Sequence, residues 1–85
     1  MNREILINQM ADLLRKAMMS ENIQIKQEDD LLNDLGVDSM GAVEFVNMVE
    51  DEYRIEISEE EMNEIKTLNH AVDLVLDKSK LSIAV

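Results

Sequence analysis

Hydrophobic positions recur at helical spacing along most of this chain, and nowhere alternate long enough to make a strand. From Asn2 to Met19, the residues Leu6, Met10, Leu13, Leu14 and Ala17 gather on one helical face, with Glu4, Asn8, Asp12 and Arg15 opposite. Asn2 is the expected cap of this first helix. Glu4 suits its positive end, and Arg15 and Lys16 suit its negative one. Residues 20–38 lose the period but keep Ile23, Ile25, Leu31, Leu32 and Leu35. A free linker has no use for these. They predict a long loop pinned to the core, with a short helical turn near Asp29 to Asn33. Long ordered loops in compact domains are often functional.

The next pattern predicts a helix from Ser39 to Tyr53. Ala42, Val46, Val49 and Tyr53 line its core face, flanked by Phe45 and Val43. Met40, Glu44, Asn47, Met48 and Asp51 fall on the opposite face. Two methionines among polar residues on an outward face suit an adaptable docking surface, against the ordinary alternative of scattered surface apolars. Arg54 to Ile57 is a connection anchored by Ile55 and Ile57, too short for a strand. Ser58, Glu59, Glu60 and Glu61 match a capping box, which predicts a short helix from Glu59 to about Glu64 with Met62 and Ile65 buried. Thr67 then caps a last helix. Leu68, Ala71, Val72, Val75 and Leu76 form its apolar face, Asp73 and Asp77 lie opposite, and Lys78 and Lys80 suit its end. The expected architecture is all-α: three substantial helices and one short one, in a single domain over residues 1–80 with a short apolar tail at 81–85.

Composition supports this reading. The 85 residues include no Pro, two Gly, one Tyr and one Phe, a balance that favours helix. An apolar share of 46% with clear periodicity argues against disorder. With no Cys, disulfides and thiolate metal sites are excluded. Nineteen acidic against eight basic residues give a net charge of −11, which repels nucleic acid and anionic membrane and attracts basic protein surfaces. There is neither a spanning stretch nor a signal-peptide pattern, so a monomeric, cytoplasmic domain is expected.

Catalytic chemistry is hard to find. His70, the only histidine, falls on the polar side of the last helix. Ser39 has no evident base nearby in sequence, as a nucleophile would need. The acidic run from Asp29 to Asp38 fails the calcium-loop spacing, because Leu31 or Leu32 stands where a ligand belongs. No metal site and no independent enzyme are expected. What remains is the stretch Leu35 to Met40, which sets a glycine, an acid and a hydroxyl at the start of a helix. Unpaired N–H groups and the helix dipole favour a phosphate there. The ordinary alternative is that Asp38 or Ser39 merely caps the helix.

Leu35-Gly36-Val37-Asp38-Ser39-Met40 resembles the attachment signature of acyl carrier proteins, usually a Leu-Gly-x-Asp-Ser-Leu run. The resemblance continues through Val43 to Val46, Glu50 to Tyr53, Ile57, Glu60, Ile65, Thr67, Ala71 and Val72. It implies a four-helix bundle with a long loop after the first helix and a short third helix. It further implies that Ser39, preceded by Asp38, carries 4′-phosphopantetheine, installed from coenzyme A with Mg²⁺ by a phosphopantetheinyl transferase. Acyl groups would travel as thioesters to acyltransferases, ketosynthases or other enzymes of fatty acid or polyketide biosynthesis. By the same resemblance, Asp38, Met40, Glu44, Asn47, Glu50 and Asp51 contact partners. Phe45, Val46, Met62, Ile65, Ala71 and Leu74 are the residues for an acyl cavity, against the alternative of an ordinary aliphatic core.

One departure stands out. Gly41 occupies a position where fatty-acid-type carriers usually have an acid, at a helix cost of about 0.8–1.0 kcal/mol relative to Ala. Asp-Ser-Met-Gly also resembles the D-alanyl carriers of teichoic acid modification. An aminoacyl carrier, a carrier dedicated to a specialised pathway, and an unmodified helical interaction module therefore remain alternatives.

Overall fold

The computed structural model describes residues 2–83, with side chains through Lys78. Four helices follow one another: α1 (Arg3–Ala17), α2 (Ser39–Tyr53), α3 (Glu59–Glu64) and α4 (Leu68–Ile83). No strand occurs among the described residues, so the fold is the all-α arrangement that the spacing predicts. Helix α4 runs past Lys80 to Ile83, taking in the start of the apolar stretch at 81–85. Residues 84 and 85 of that stretch lie outside the described residues.

Helix α1 starts at Asn2, whose side chain accepts the N–H groups of Glu4 and Ile5 at 2.8 and 3.4 Å. It ends at Ala17, two residues short of the expected Met19, in a Schellman turn. There the N–H groups of Met19 and Ser20 bond back to the carbonyls of Lys16 and Arg15. Leu6, Met10, Ala11 and Leu14 are buried against α2 and α4. Arg3 bridges to α4, where its guanidinium pairs with Asp73 at 2.6 Å and donates to Asn69 Oδ1 at 3.0 Å.

Helix α2 packs against both α1 and α3. Its buried stripe is consequently wider and rotated from the expected one. Phe45, assigned to the flank by spacing, is only 1% exposed and is the largest fully buried side chain. Val46 and Val49 are buried as expected, Ala42 and Tyr53 are half-buried, and Val43 is exposed. The Tyr53 hydroxyl donates to Gln9 of α1 at 2.7 Å. Burial, and secondarily the charge of Glu52, push that hydroxyl above its ordinary value of 10.0.

The connection between α1 and α2 is stitched down as its apolar residues imply. The Arg15 guanidinium donates to the Ile23 carbonyl at 2.9 Å, the Asn69 N–H to Gln27, and the Leu31 N–H to Lys66. A single turn over residues 31–35 replaces the expected helical turn near Asp29 to Asn33. The Asp30 carboxylate caps it by accepting the N–H groups of Leu32 and Asn33, and the Asn33 bond above all holds Asp30 below its ordinary value. The turn sends neighbouring side chains in different directions. Leu31 is buried, whereas Leu32, expected to pin the loop, is 66% exposed. Gly36, at φ +70°, supplies the left-handed residue that ends the turn.

The capping box of α3 is present. Ser58 Oγ accepts the Glu61 N–H, the Glu61 carboxylate accepts the Ser58 N–H, and Lys78 of α4 pairs with Glu61 at 3.1 Å. Met62 and Ile65 are half-buried rather than buried, since this short helix covers one side of a cleft. Thr67 Oγ1 accepts the His70 N–H at the start of α4. Leu68, Ala71, Val72 and Val75 are the core residues of that helix.

Candidate functional site

Three consecutive residues set the site. Val37 is buried and anchors the chain, Asp38 leaves it in extended conformation as the cap of α2, and Ser39 is the first helical residue. One Asp38 carboxylate oxygen accepts the Gly41 N–H at 2.7 Å. Ser39 is exposed, and its hydroxyl has no hydrogen-bond partner among the described residues. His70 spends its Nδ1 accepting the Lys66 N–H at 3.0 Å. No cluster of acids or His able to hold a metal exists among the described residues.

Gly41 now has a structural role that the sequence left open. A Cβ there would stand 3.2 Å from the capping oxygen of Asp38 and 3.4 Å from a Val37 methyl. The bare backbone lets the cap close tightly.

Ser39 and Asp38 border a cleft of about 510 Å³. Phe45, Val46, Met62 and Ile65, four of the six residues expected for an acyl cavity, line it. The other two do not: Ala71 is buried in the core and Leu74 is half-buried on α4. Leu32 and Val43, large apolar residues that are exposed, line the same cleft. Sequence reasoning missed this, and the available signal was an apolar residue in a polar loop and another at the edge of a helical stripe.

On the outward side of α2, Met40, Glu44, Asn47 and Asp51 are exposed as expected. Glu50 is half-buried, and its carboxylate accepts the Ile57 N–H at 3.0 Å, so it holds the connection before α3. Met48 is half-buried as well.

A serine that is presented but not activated serves a protein that is acted upon. Fold and site together fit a carrier domain modified by another enzyme. The sequence pattern of the phosphopantetheine attachment site family matches residues 5–75. An acyl carrier protein of Coprothermobacter proteolyticus is 33% identical over 75 residues, covering 88% of this chain and 92% of that one. An acyl carrier protein of Buchnera aphidicola is 36% identical over 69 residues, covering 75% and 86% respectively. One of Saccharopolyspora erythraea is 32% identical over 77 residues, covering 91% and 81%. The chain belongs to the acyl carrier protein family. Proteins of this family are carriers rather than catalysts, and hold 4′-phosphopantetheine covalently. The group supplies a thiol on a long arm. In this chain an exposed hydroxyl, that of Ser39, stands at a helix start, where negative charge is favoured. No helix among the described residues is long and apolar enough to cross a membrane.

Proposed function

We propose that Ser39 is the attachment point, and that the chain presents acyl thioesters to partner enzymes of fatty acid or polyketide biosynthesis. The observation that carries this reading is the placement of Ser39: exposed, first in α2, directly after the capping Asp38, and at the border of an apolar cleft. A phosphodiester there gains about 0.3–1 kcal/mol from the helix end. The Asp38 carboxylate opposes it by like charge, but one of its oxygens is already engaged by Gly41. Reactivity comes from the phosphopantetheinyl transferase, which brings coenzyme A and Mg²⁺. Tethering then replaces free diffusion of cargo by a high effective concentration at each partner.

Asp38, Met40, Glu44, Asn47 and Asp51 form the docking face, with Glu50 supporting it from behind. Its acidity steers basic partner surfaces quickly and weakly, as a shuttle requires. The cleft lined by Phe45, Val46, Met62 and Ile65 receives the first carbons of the acyl chain. Residues 1–80 act as the carrier domain, in the cytoplasm. The acyl carrier proteins among its relatives favour an acyl over a D-alanyl cargo. Fragmenting the Ser39 peptide of protein isolated from its own cells tests this. An arm bearing a fatty acyl or β-ketoacyl thioester is the expected product, and an alanyl thioester would contradict it.

A further inference from the structure

A second cleft, of about 490 Å³, lies between the end of α1 and the start of α2. Its lining differs in kind from that of the cleft bordered by Ser39. Gly36 and Gly41, the only glycines of the chain, both line it. A Cβ at Gly36 would meet nothing within 4 Å, so the space beside that backbone is open to a close approach. Ala17, Met18 and Gly36 line the cleft, and their carbonyls accept no hydrogen bond among the described residues. The first two are orphans of the α1 C-terminus, as helix ends leave them.

Charge is the second difference. Lys16 is the one cation that lines the cleft, and it forms no ion pair among the described residues. Asp38 and Glu44 line it from the α2 side. The thioethers of Met19 and Met40, 93% and 80% exposed, complete it. The first cleft instead offers mostly carbon, from Leu31, Val43, Phe45, Val46, Met62 and Ile65. Hydrocarbon suits the first. The second suits an extended amide with an anion at one end and a small apolar branch. The phosphopantetheine arm has that chemistry: a phosphate, geminal methyls, successive amide N–H donors and a terminal thiol. Its root is adjacent, because Asp38 and Met40, the residues on either side of Ser39, both line the cleft.

We propose that the second cleft is the resting site of this chain's own arm while its thiol is unacylated. Lys16 pairs with the phosphate, and the like charge of Asp38 and Glu44 drives the phosphate to that side. The amide N–H groups donate to the carbonyls of Ala17, Met18 and Gly36, and the geminal methyls pack on Met19 and Met40. Acylation moves the arm to the first cleft. The hydrocarbon gains apolar burial there, while the hydrogen bonds given up are replaced by water. The two clefts thus separate empty from loaded carrier. The proposal rests on the reading of Ser39 as the tether.

NMR spectroscopy of protein loaded from isotope-labelled coenzyme A, with the thiol free, is the test. Nuclear Overhauser contacts are expected between the geminal methyls of the arm and the methyls of Met19 and Met40. The amide shifts of Met18 and Met19 should move from their values in the unmodified protein. Hexanoylation of the thiol should abolish the contacts and return both shifts, and contacts that survive it would overturn the exchange between clefts. Lys16→Gln, at an exposed position, should weaken the contacts about twofold, the order of an exposed ion pair, and shift the phosphorus resonance. Unchanged contacts and phosphorus shift would overturn Lys16 as the partner of the phosphate. A free-thiol arm that contacts Val43 or Met62 instead, or nothing, would overturn the resting site and leave Ser39 as the tether. An intact mass without addition at Ser39 would bring down both.

Discussion

The Asp38 carboxylate and Gly41 are matched. The carboxylate accepts the Gly41 N–H at 2.7 Å, and any side chain at 41 would start 3.2 Å from the same oxygen. The cap that begins α2 and the glycine that would weaken it are therefore one device. Asp38→Ala is expected to cost about 1 kcal/mol, as loss of an N-cap does. Gly41→Ala is expected to gain less than the propensity difference of about 0.8–1.0 kcal/mol, because it crowds the cap. In the Asp38→Ala background the crowding is relieved and more of that gain returns. Urea denaturation of the four proteins checks this, with a coupling of about 0.5 kcal/mol or more expected. Additive effects would separate the two residues.

Acid stability should depend on Glu61. The Ser58 backbone hydrogen bond, and next the Lys78 ammonium, hold its carboxyl below the ordinary 4.5. A depressed folded-state value stabilises the fold above the unfolded value, and that stabilisation disappears as pH falls through the folded one. Wild type should therefore exceed Glu61→Gln in stability at neutral pH, and the difference should close below pH 4.5. Comparing the two proteins cancels the background from the other acids. Chemical denaturation at pH values from neutral to well below 4.5 reads it out, and a gap that does not narrow as the pH falls below 4.5 would contradict it.

Leu31 and Leu32 are neighbours with opposite roles, at 7% and 66% exposure. Leu31→Ala opens the core and is expected to cost about 2–5 kcal/mol. Leu32→Ala should stay within about 0.5 kcal/mol of wild type, since its side chain lines the cleft and not the core. Thermal or urea melts distinguish the two directly.

The same pair shows where sequence reading stops. Helical spacing located α1, α2 and α4 and the capping box located α3, and the caps at Asn2, Ser58 and Thr67 are single-residue chemistry, readable without a fold, whereas for α2 the sequence left Asp38 and Ser39 both open and the structure gives Asp38. Periodicity gives the centre of a buried stripe but not its width. Width depends on what packs against a helix, and α2 packs against both α1 and α3, which is why Phe45 is interior and not marginal. In a turn there is no period to follow, so Leu31 and Leu32 look alike in sequence. The engagement of Glu50 by Ile57 depends on how the chain folds back after Tyr53, and no local pattern encodes it. The placement of Ser39 at the start of α2 is legible because it depends on the local motif, while the cleft beside it is assembled from distant elements.

Loading with a medium-length acyl arm should disturb the cleft as well as the attachment point. Amide shifts of Val43, Val46, Met62 and Ile65 are expected to move, with those of Met10 and Leu14 on the far side of the core unaffected. Changes confined to the residues around Ser39 would mean that the chain stays in solvent.

The most direct measurement is intact mass after incubation with coenzyme A, Mg²⁺ and a promiscuous phosphopantetheinyl transferase. One phosphopantetheine added to the wild type, and none to Ser39→Ala, is the result expected of a tether at Ser39. No addition to the wild type, or an addition that survives Ser39→Ala, would contradict it.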